Sequence, residues 1–251
     1  RTVSPPERII SLVPSLTELV FWLGCGDRLV GRTRFCVEPA GQVDRLPIVG
    51  GTKNPHLDRI LAAAPDLVIA NKEENRREDV EALRAAGVEV LLTDPNTVDE
   101  ATSMVEQLGQ LLDAPERAAR LARETRDALG GPAAELRVFV AVWWNPLMGL
   151  GSESYGHDLI ERSGAHNVLR DRSRYPEVTL QEVGALAPDV ILLPDEPFPF
   201  ITEHARSFEG VAPARVLDGK LLWWYGPRMP AAIRELRSLF SETAAARPEP
   251  Q

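Results

Sequence analysis

Apolar and polar positions along the chain fall into short hydrophobic runs separated by segments with helical spacing. Arg8-Ile9-Ile10-Ser11-Leu12 reads as a strand. Ser15-Leu16-Thr17-Glu18 then carries the Ser-x-x-Glu pattern of a capping box, ahead of the apolar run Leu19–Leu23 that stops at Gly24. Leu29–Gly31 reads as a second short strand. Pro55 to Ala64 reads as a helix, followed by Pro65-Asp66 and the strand Leu67–Ala70. Arg76–Ala86 reads as a helix stopped by Gly87, and Val88–Leu92 as a strand. This alternation predicts a parallel sheet covered by helices.

From Val98 to about Gly130 the chain is rich in Ala, Leu, Glu and Arg at helical spacing. Asp113-Ala114-Pro115-Glu116 divides it into two helices, the second running from Pro115 to Leu129 with Pro115 in its first turn. Alternation resumes with the strand Arg137–Trp143. The second half repeats the first. The stretch from Leu57 to Ile69 lines up with that from Leu180 to Leu192, each a helix, an Ala-Pro-Asp turn and a buried strand. Ser15…Gly24 has a looser echo in Ser154…Gly164. An internal duplication is expected. The predicted class is α/β: two similar lobes with mainly parallel central sheets, an N-terminal lobe over 1–112, a bridging helix segment over 113–136 and a C-terminal lobe over 137–251. One helix as the connection is stiff, so the lobes are expected to close little around a ligand.

A hydrophobic content of 44% against 26% charged residues excludes disordered and fibrous classes. No apolar run approaches the roughly 18 residues of a membrane-spanning helix. Lys+Arg 28 against Asp+Glu 37 gives a net charge of -9, which disfavours nucleic acid and anionic membrane surfaces as partners. Cys25 and Cys36 are too few for a disulfide scaffold, and the strand between them carries them apart. The chain begins at Arg1 rather than Met, which fits either a removed targeting segment or a trimmed chain.

In open α/β sheets ligands sit beyond the carboxyl ends of the strands, and two such lobes facing each other are expected to line one cleft. The first lobe offers Pro14-Ser15, Phe35-Cys36, Gly51-Thr52-Lys53-Asn54 and Asn71-Lys72. The second offers Trp144 to Met148, Arg174-Tyr175 and Trp223-Trp224-Tyr225. Of only five Trp and three Tyr in the chain, six of these rings fall at expected strand ends or loops of the second half, which suits a large flat ligand. Strand alternation turns one of each Trp pair inward, so Trp144 and Trp224 are expected to face the cleft. Arg228, between Pro227 and Pro230, joins Arg174 and Lys53 as cations for a ligand phosphate or carboxylate. Cys36 is either a thiolate ligand to a metal centre or a small buried apolar residue. His56 is either an axial ligand or a surface residue at a helix start. No His/Asp/Glu spacing fits a dedicated Zn or Mn site. A nucleophile elbow, a Gly-rich phosphate loop after a strand and a compact acid/base cluster are all missing from the sequence, which speaks against an enzyme.

Four stretches together resemble a known family: the segment from Arg8 to Glu18, the segment from Val30 to Cys36, Pro47-Ile48-Val49-Gly50-Gly51, and the paired Ala-Pro-Asp strands. They resemble a substrate-binding protein of an ABC importer, of the type with two lobes bridged by a single helix, over about Arg8 to Phe240. Members capture vitamin B12, haem or ferric siderophores, and this chain is similar to the vitamin B12 binders among them. The resemblance implies a non-enzymatic extracytoplasmic protein that captures cobalamin or a related corrinoid and delivers it to an importer permease. Its bound ligand is then cobalamin, with haem or a ferric siderophore as the alternative, and no catalytic cofactor. A chelatase-like enzyme and a cytoplasmic chelate receptor are the other classes. The implied location is the periplasm or cell surface, as a monomer.

By the same resemblance Phe35, Thr52, Met148 and Tyr175 would touch the corrin. Such binders carry aromatics at all four positions. Thr52 removes a stacking surface, whereas Met148 still packs against a macrocycle. Haem would call on Tyr175 or His56 as axial ligand. The family presents one carboxylate per lobe to permease arginines. Asp58 fits that place in the first lobe. In the second the matching residue is Gln181, with Glu182 beside it as the substitute. Such carboxylates steer and orient docking.

Overall fold

The first half of the chain alternates strand and helix: β1 (Ile9–Ser11), α1 (Pro14–Trp22), β2 (Leu29–Arg32), α2 (Leu57–Ala62), β3 (Leu67–Asn71), α3 (Arg77–Ala85) and β4 (Val90–Thr93). Two long helices follow, α4 (Val98–Leu111) and α5 (Pro115–Ala128). The second half contains β5 (Leu136–Trp143), β6 (Met148–Gly149), α6 (Tyr155–Arg162), β7 (Ala165–Asn167), α7 (Leu180–Ala185), β8 (Val190–Pro194), α8 (Thr202–Arg206), β9 (Ala214–Leu217), α9 (Lys220–Trp223) and α10 (Met229–Ala245). The structure is a computed structural model and describes residues 4–131, 133, 134 and 136–246. Among these, no helix is long and apolar enough to cross a membrane.

The chain forms two compact units. The first holds the residues up to Asp94 with Thr102–Arg123 and Tyr225–Pro227; the second holds Pro95–Ala101, Glu124–Trp224 and the chain from Arg228 onward. In the first unit the sheet order is β2-β1-β3-β4, parallel throughout. Ile9, Ile10, Val68 and Ile69 are fully buried, because helices cover both faces of the sheet. Each such side chain contributes roughly 1.5–3 kcal/mol by leaving water.

In the second unit β7 and β8 flank β5 in parallel and β9 extends from β8. This is the order of the first sheet repeated. β6 adds an antiparallel pairing near the carboxyl end of β5, at Ala141 and Trp143. The α/β class with two similar, mainly parallel units thus stands as expected.

The duplication extends to atomic detail at the Ala-Pro-Asp turns. Pro65 and Pro188 bar the α region to the residue before them. Ala64 and Ala187 both take φ 45, which ends α2 and α7 alike. Arg8 Nε donates to the carbonyls of Ala63 and Ala64, each at 3.1 Å, and its Nη2 donates to Ala63 at 2.6 Å. Arg137 repeats this, with Nε donating to the Ala187 carbonyl at 3.1 Å and Nη2 to that of Leu186 at 2.7 Å. The Asp66 carboxylate accepts from the Glu7 and Arg8 amides at 2.9 Å, and the Asp189 carboxylate from the Arg137 amide at 2.7 Å. Each half thus ties its first strand to its own turn.

Two local expectations change. No capping box forms at Ser15–Glu18: the N-cap lies two residues earlier, at the extended Val13, which has no side-chain cap, and α1 starts at Pro14. The fixed φ of proline suits the first helical position, which places Ser15 inside the helix. The capping box lies instead at α7, where Thr179 and Glu182 satisfy each other's backbone amides. The segment Trp223-Trp224-Tyr225 does not end a strand, since Trp223 closes the single turn of α9.

Candidate functional site

At the carboxyl end of the first sheet, buried polar side chains hold the loops in place. Asn75 donates through Nδ2 to the carbonyls of Leu12 at 3.3 Å and Thr52 at 3.0 Å, and its Oδ1 accepts from the Asn71 amide at 2.9 Å. Asn71 Nδ2 donates to the carbonyl and hydroxyl of Thr93, both at 3.1 Å, while its Oδ1 accepts from the Glu73 amide at 2.9 Å. Arg32, 7% exposed, donates through Nε to the Val43 carbonyl at 2.8 Å and through Nη1 to the Cys36 carbonyl at 3.0 Å. Sequence inspection passes over Arg32 and Asn75 because their partners are backbone carbonyls that leave no spacing signal.

On this frame Phe35 stands 54% exposed, with the Arg34 guanidinium carbon 6.0 Å from its ring centroid. The Gly50-Gly51 turn packs beside it. A Cβ on Gly51 would lie 2.3 Å from Asn54 Oδ1 and 3.5 Å from Phe35 Cε2. A Cβ on Gly50, at φ 115, would lie 2.7 Å from the Asn54 carbonyl oxygen. Thr52 is buried and its carbonyl is held by Asn75. Lys53 is exposed and its ammonium donates to the Glu73 carbonyl. Pro14 and Ser15 are buried in the first turn of α1, so they present no open face.

Cys36 is fully buried. Its Sγ sits 3.1 Å from Thr33 Oγ1, and burial pushes the thiol above its ordinary range. That environment disfavours the thiolate a metal ligand requires. Cys25 is likewise buried and unbridged. His56 is exposed at the N-cap of α2. Among the described residues no group of three or more His, Cys, Asp or Glu side chains could hold a metal ion, so neither Cys36 nor His56 belongs to one.

At the carboxyl end of the second sheet the two neighbouring tryptophans exchange their expected places. Trp143 is 41% exposed and meets Phe198 edge-on at 5.4 Å. Trp144 turns toward the core, edge-on to Phe200 at 6.4 Å, Phe208 at 5.9 Å and His204 at 5.4 Å. The register of β5 against β6 slips between Ala141 and Trp143, which breaks simple alternation. Met148 pairs with Trp143 across β6, and its isolated bridge to Glu177 brings the half-buried Tyr175 segment alongside. Arg174, at φ 61, donates to the Asn96 side chain at 2.9 Å and the Glu153 carbonyl at 2.6 Å. It is committed to holding that loop.

Trp224 is 6% exposed and Tyr225 7%, so neither ring is an open platform. Trp224 Nε1 donates to Glu196 Oε1 at 2.7 Å, and the Arg228 guanidinium carbon lies 5.2 Å from its ring centroid. Of the two acids expected to face a permease, Asp58 is exposed in the first turn of α2. Glu182 is engaged: it accepts from the Thr179 amide at 2.7 Å and from Arg172 at 3.2 Å. The bond from the Thr179 amide, more than any other, lowers its carboxyl below the usual range. A groove of about 540 Å³ beside α8, lined by Thr202, Arg206, Glu209 and Pro213, lies at the amino end of β9 and is not built from the carboxyl-end loops.

Two α/β units with matching sheet orders and ring-bearing loops at their strand ends define a duplicated α/β protein. The chain belongs to the periplasmic binding protein family, whose profile matches residues 9–204. It is 29% identical over 216 residues to a vitamin B12-binding protein of Vibrio parahaemolyticus, covering 82% of this chain and 74% of that relative. Among solved structures, the periplasmic vitamin B12 binding protein BtuF of Vibrio cholerae superposes with a TM-score of 0.82 at 23% identity, over 97% of this chain and 99% of that one. The periplasmic heme-binding protein BhuT, solved with two hemes, superposes with a TM-score of 0.80 at 26% identity, over 94% and 98%.

Proposed function

We propose that this chain is an extracytoplasmic solute-binding protein that captures vitamin B12 or a related corrinoid and delivers it to the permease of an ABC importer. The observation that carries the ligand class is its likeness to a vitamin B12-binding relative across 82% of its length. The site supports that class. Each unit by itself keeps a ring exposed at a strand end, Phe35 in the first and Trp143 in the second, while most other large apolar side chains are buried, and Met148 pairs with Trp143. Flat rings and a thioether gain affinity against a macrocycle by area burial and stacking. The protein binds and releases its ligand without turnover.

Haem is the second reading, favoured by the likeness to a protein solved with two hemes. It would draw on Tyr175 as axial ligand. Docking to the permease falls first on Asp58, because Glu182 would have to leave its cap and Arg172 to take part.

Absorbance titration with cyanocobalamin, haemin and a ferric siderophore tests the proposal. A saturable cyanocobalamin shift with a dissociation constant between about micromolar and nanomolar, roughly 8–12 kcal/mol, is expected. Phe35→Ala should weaken it by about ten-fold. A saturable shift with haemin alone would replace the corrinoid reading by the second one.

A further inference from the structure

The Trp224 indole is gripped from the end of β8. The Asp195 carboxylate accepts from the Gly219 amide at 2.8 Å. The Glu196 backbone carbonyl accepts from Trp223 Nε1 at 2.6 Å, and its carboxylate from Trp224 Nε1 at 2.7 Å. One dipeptide thus holds the start of α9 and both indoles at its end. Gly219 permits the approach: a Cβ there would lie 2.5 Å from Glu196 Cγ, 2.9 Å from its carbonyl oxygen and 3.0 Å from its nitrogen, closer than real side chains come. The held indole in turn carries two cations. Lys220 Nζ lies 5.3 Å and Arg228 Cζ 5.2 Å from its centroid, within cation–π range.

We propose that Glu196 is a positioning residue: by fixing the tilt of the Trp224 indole it holds the Arg228 guanidinium ready for an anionic group, a phosphate or carboxylate, on the bound ligand. The proposal deepens the capture function and rests on it. An indole whose N–H is anchored by a carboxylate is held by a charge-assisted bond, stronger and more directional than a neutral one. Arg228 leans on the ring so anchored, and a guanidinium presents its donors in a fixed fork suited to oxyanions.

The charged groups facing Glu196 are Lys220 on α9, Asp218 ahead of it and Asp195 beside it. Arg228, at the start of α10, faces the indole. Burial, the largest influence, raises the Glu196 carboxyl above the usual carboxylate range. Protonation removes the charge from the acceptor and leaves a weaker, neutral bond to the indole N–H, so the indole loosens and ligand affinity falls, by no more than about two-fold, as pH drops through that raised range. Folding stability runs the other way. For an acid with a raised folded pKa, the contribution to stability is present at low pH and is lost as pH rises through the folded value. Lost affinity on acidification is therefore separable from unfolding.

The test follows tryptophan emission and cyanocobalamin affinity from about pH 8 down to about pH 4 in the unaltered chain, Glu196→Gln, Glu196→Ala and Trp224→Phe. An emission step above the ordinary carboxyl range is expected in the unaltered chain and absent from both Glu196→Gln and Trp224→Phe. Near neutral pH, Glu196→Ala should bind about ten-fold more weakly, whereas Glu196→Gln, which keeps an acceptor oxygen, stays within about two-fold. Wild-type affinity in Glu196→Ala, or an emission step that persists in Glu196→Gln, would overturn the proposal. If no chelate binds even the unaltered chain, the capture function fails, and the emission step alone still decides whether Glu196 sets the indole.

Discussion

Replacing Asn75 with alanine asks whether the loops of the first sheet are held from inside. The Asn75 side chain is 4% exposed and joins three segments: Leu12 after β1, Thr52 in the glycine turn and Asn71 at the end of β3. Alanine removes all three hydrogen bonds and leaves two carbonyls and one amide without their side-chain partner in the interior. At a net ~0.5–1.5 kcal/mol per bond, and more for a group stranded away from water, the expected loss is about 3 kcal/mol. Urea unfolding followed by circular dichroism should show a midpoint lower by about 1–3 M with unchanged slope. Asn75→Asp refines the test. It keeps an acceptor for the Asn71 amide but turns a carboxylate toward two carbonyls. Burial raises such a group's folded pKa, so this variant should be most stable in acid and lose stability as pH rises through that value. A loss under about 0.5 kcal/mol in Asn75→Ala would refute the view that Asn75 braces these loops.

The neighbouring tryptophans should separate stability from binding. Trp144→Ala should cost roughly 3 kcal/mol of stability, because it empties a place among Phe200, Phe208 and His204. Trp143→Ala should cost under about 1 kcal/mol yet weaken cyanocobalamin binding about ten-fold, and equal losses of stability in urea melts would contradict the assignment. Cys36, with its buried and less acidic thiol, should resist iodoacetamide in the native chain and react once unfolded. Rapid native labelling, read by mass spectrometry, would show it open instead.

Parallel strands buried on both faces leave unbroken apolar runs, which is why β1, β3, β5 and β8 are readable from residues alone. The Ala-Pro-Asp repeat is equally legible, because proline constrains the residue before it and the aspartate accepts from the amides that open the first strand of its half. Other features depend on competition that pattern does not reveal. Pro14 outranks Ser15 as the start of α1. The Leu221-Leu222-Trp223-Trp224 run looks like a strand, yet it forms a helical turn where Gly219 lets the Glu196 backbone approach. The slip in β5 reverses which tryptophan faces out. Thr179-Leu180-Gln181-Glu182 carries a cap signature in plain view, and the cap engages Glu182, which the resemblance offered only as a docking substitute for the aligned Gln181. Asn71, Asn75, Arg32 and Glu196 bond to groups distant in sequence, so only the fold exposes them.

The interior amides and the buried guanidinium beneath the first sheet's loops carry a kinetic consequence. Conformational entropy at these segments is surrendered during folding, not at the moment a guest arrives. Encounter can then proceed at a pace set by diffusion and orientation, and the dwell time of the guest depends on the rings and charges it touches.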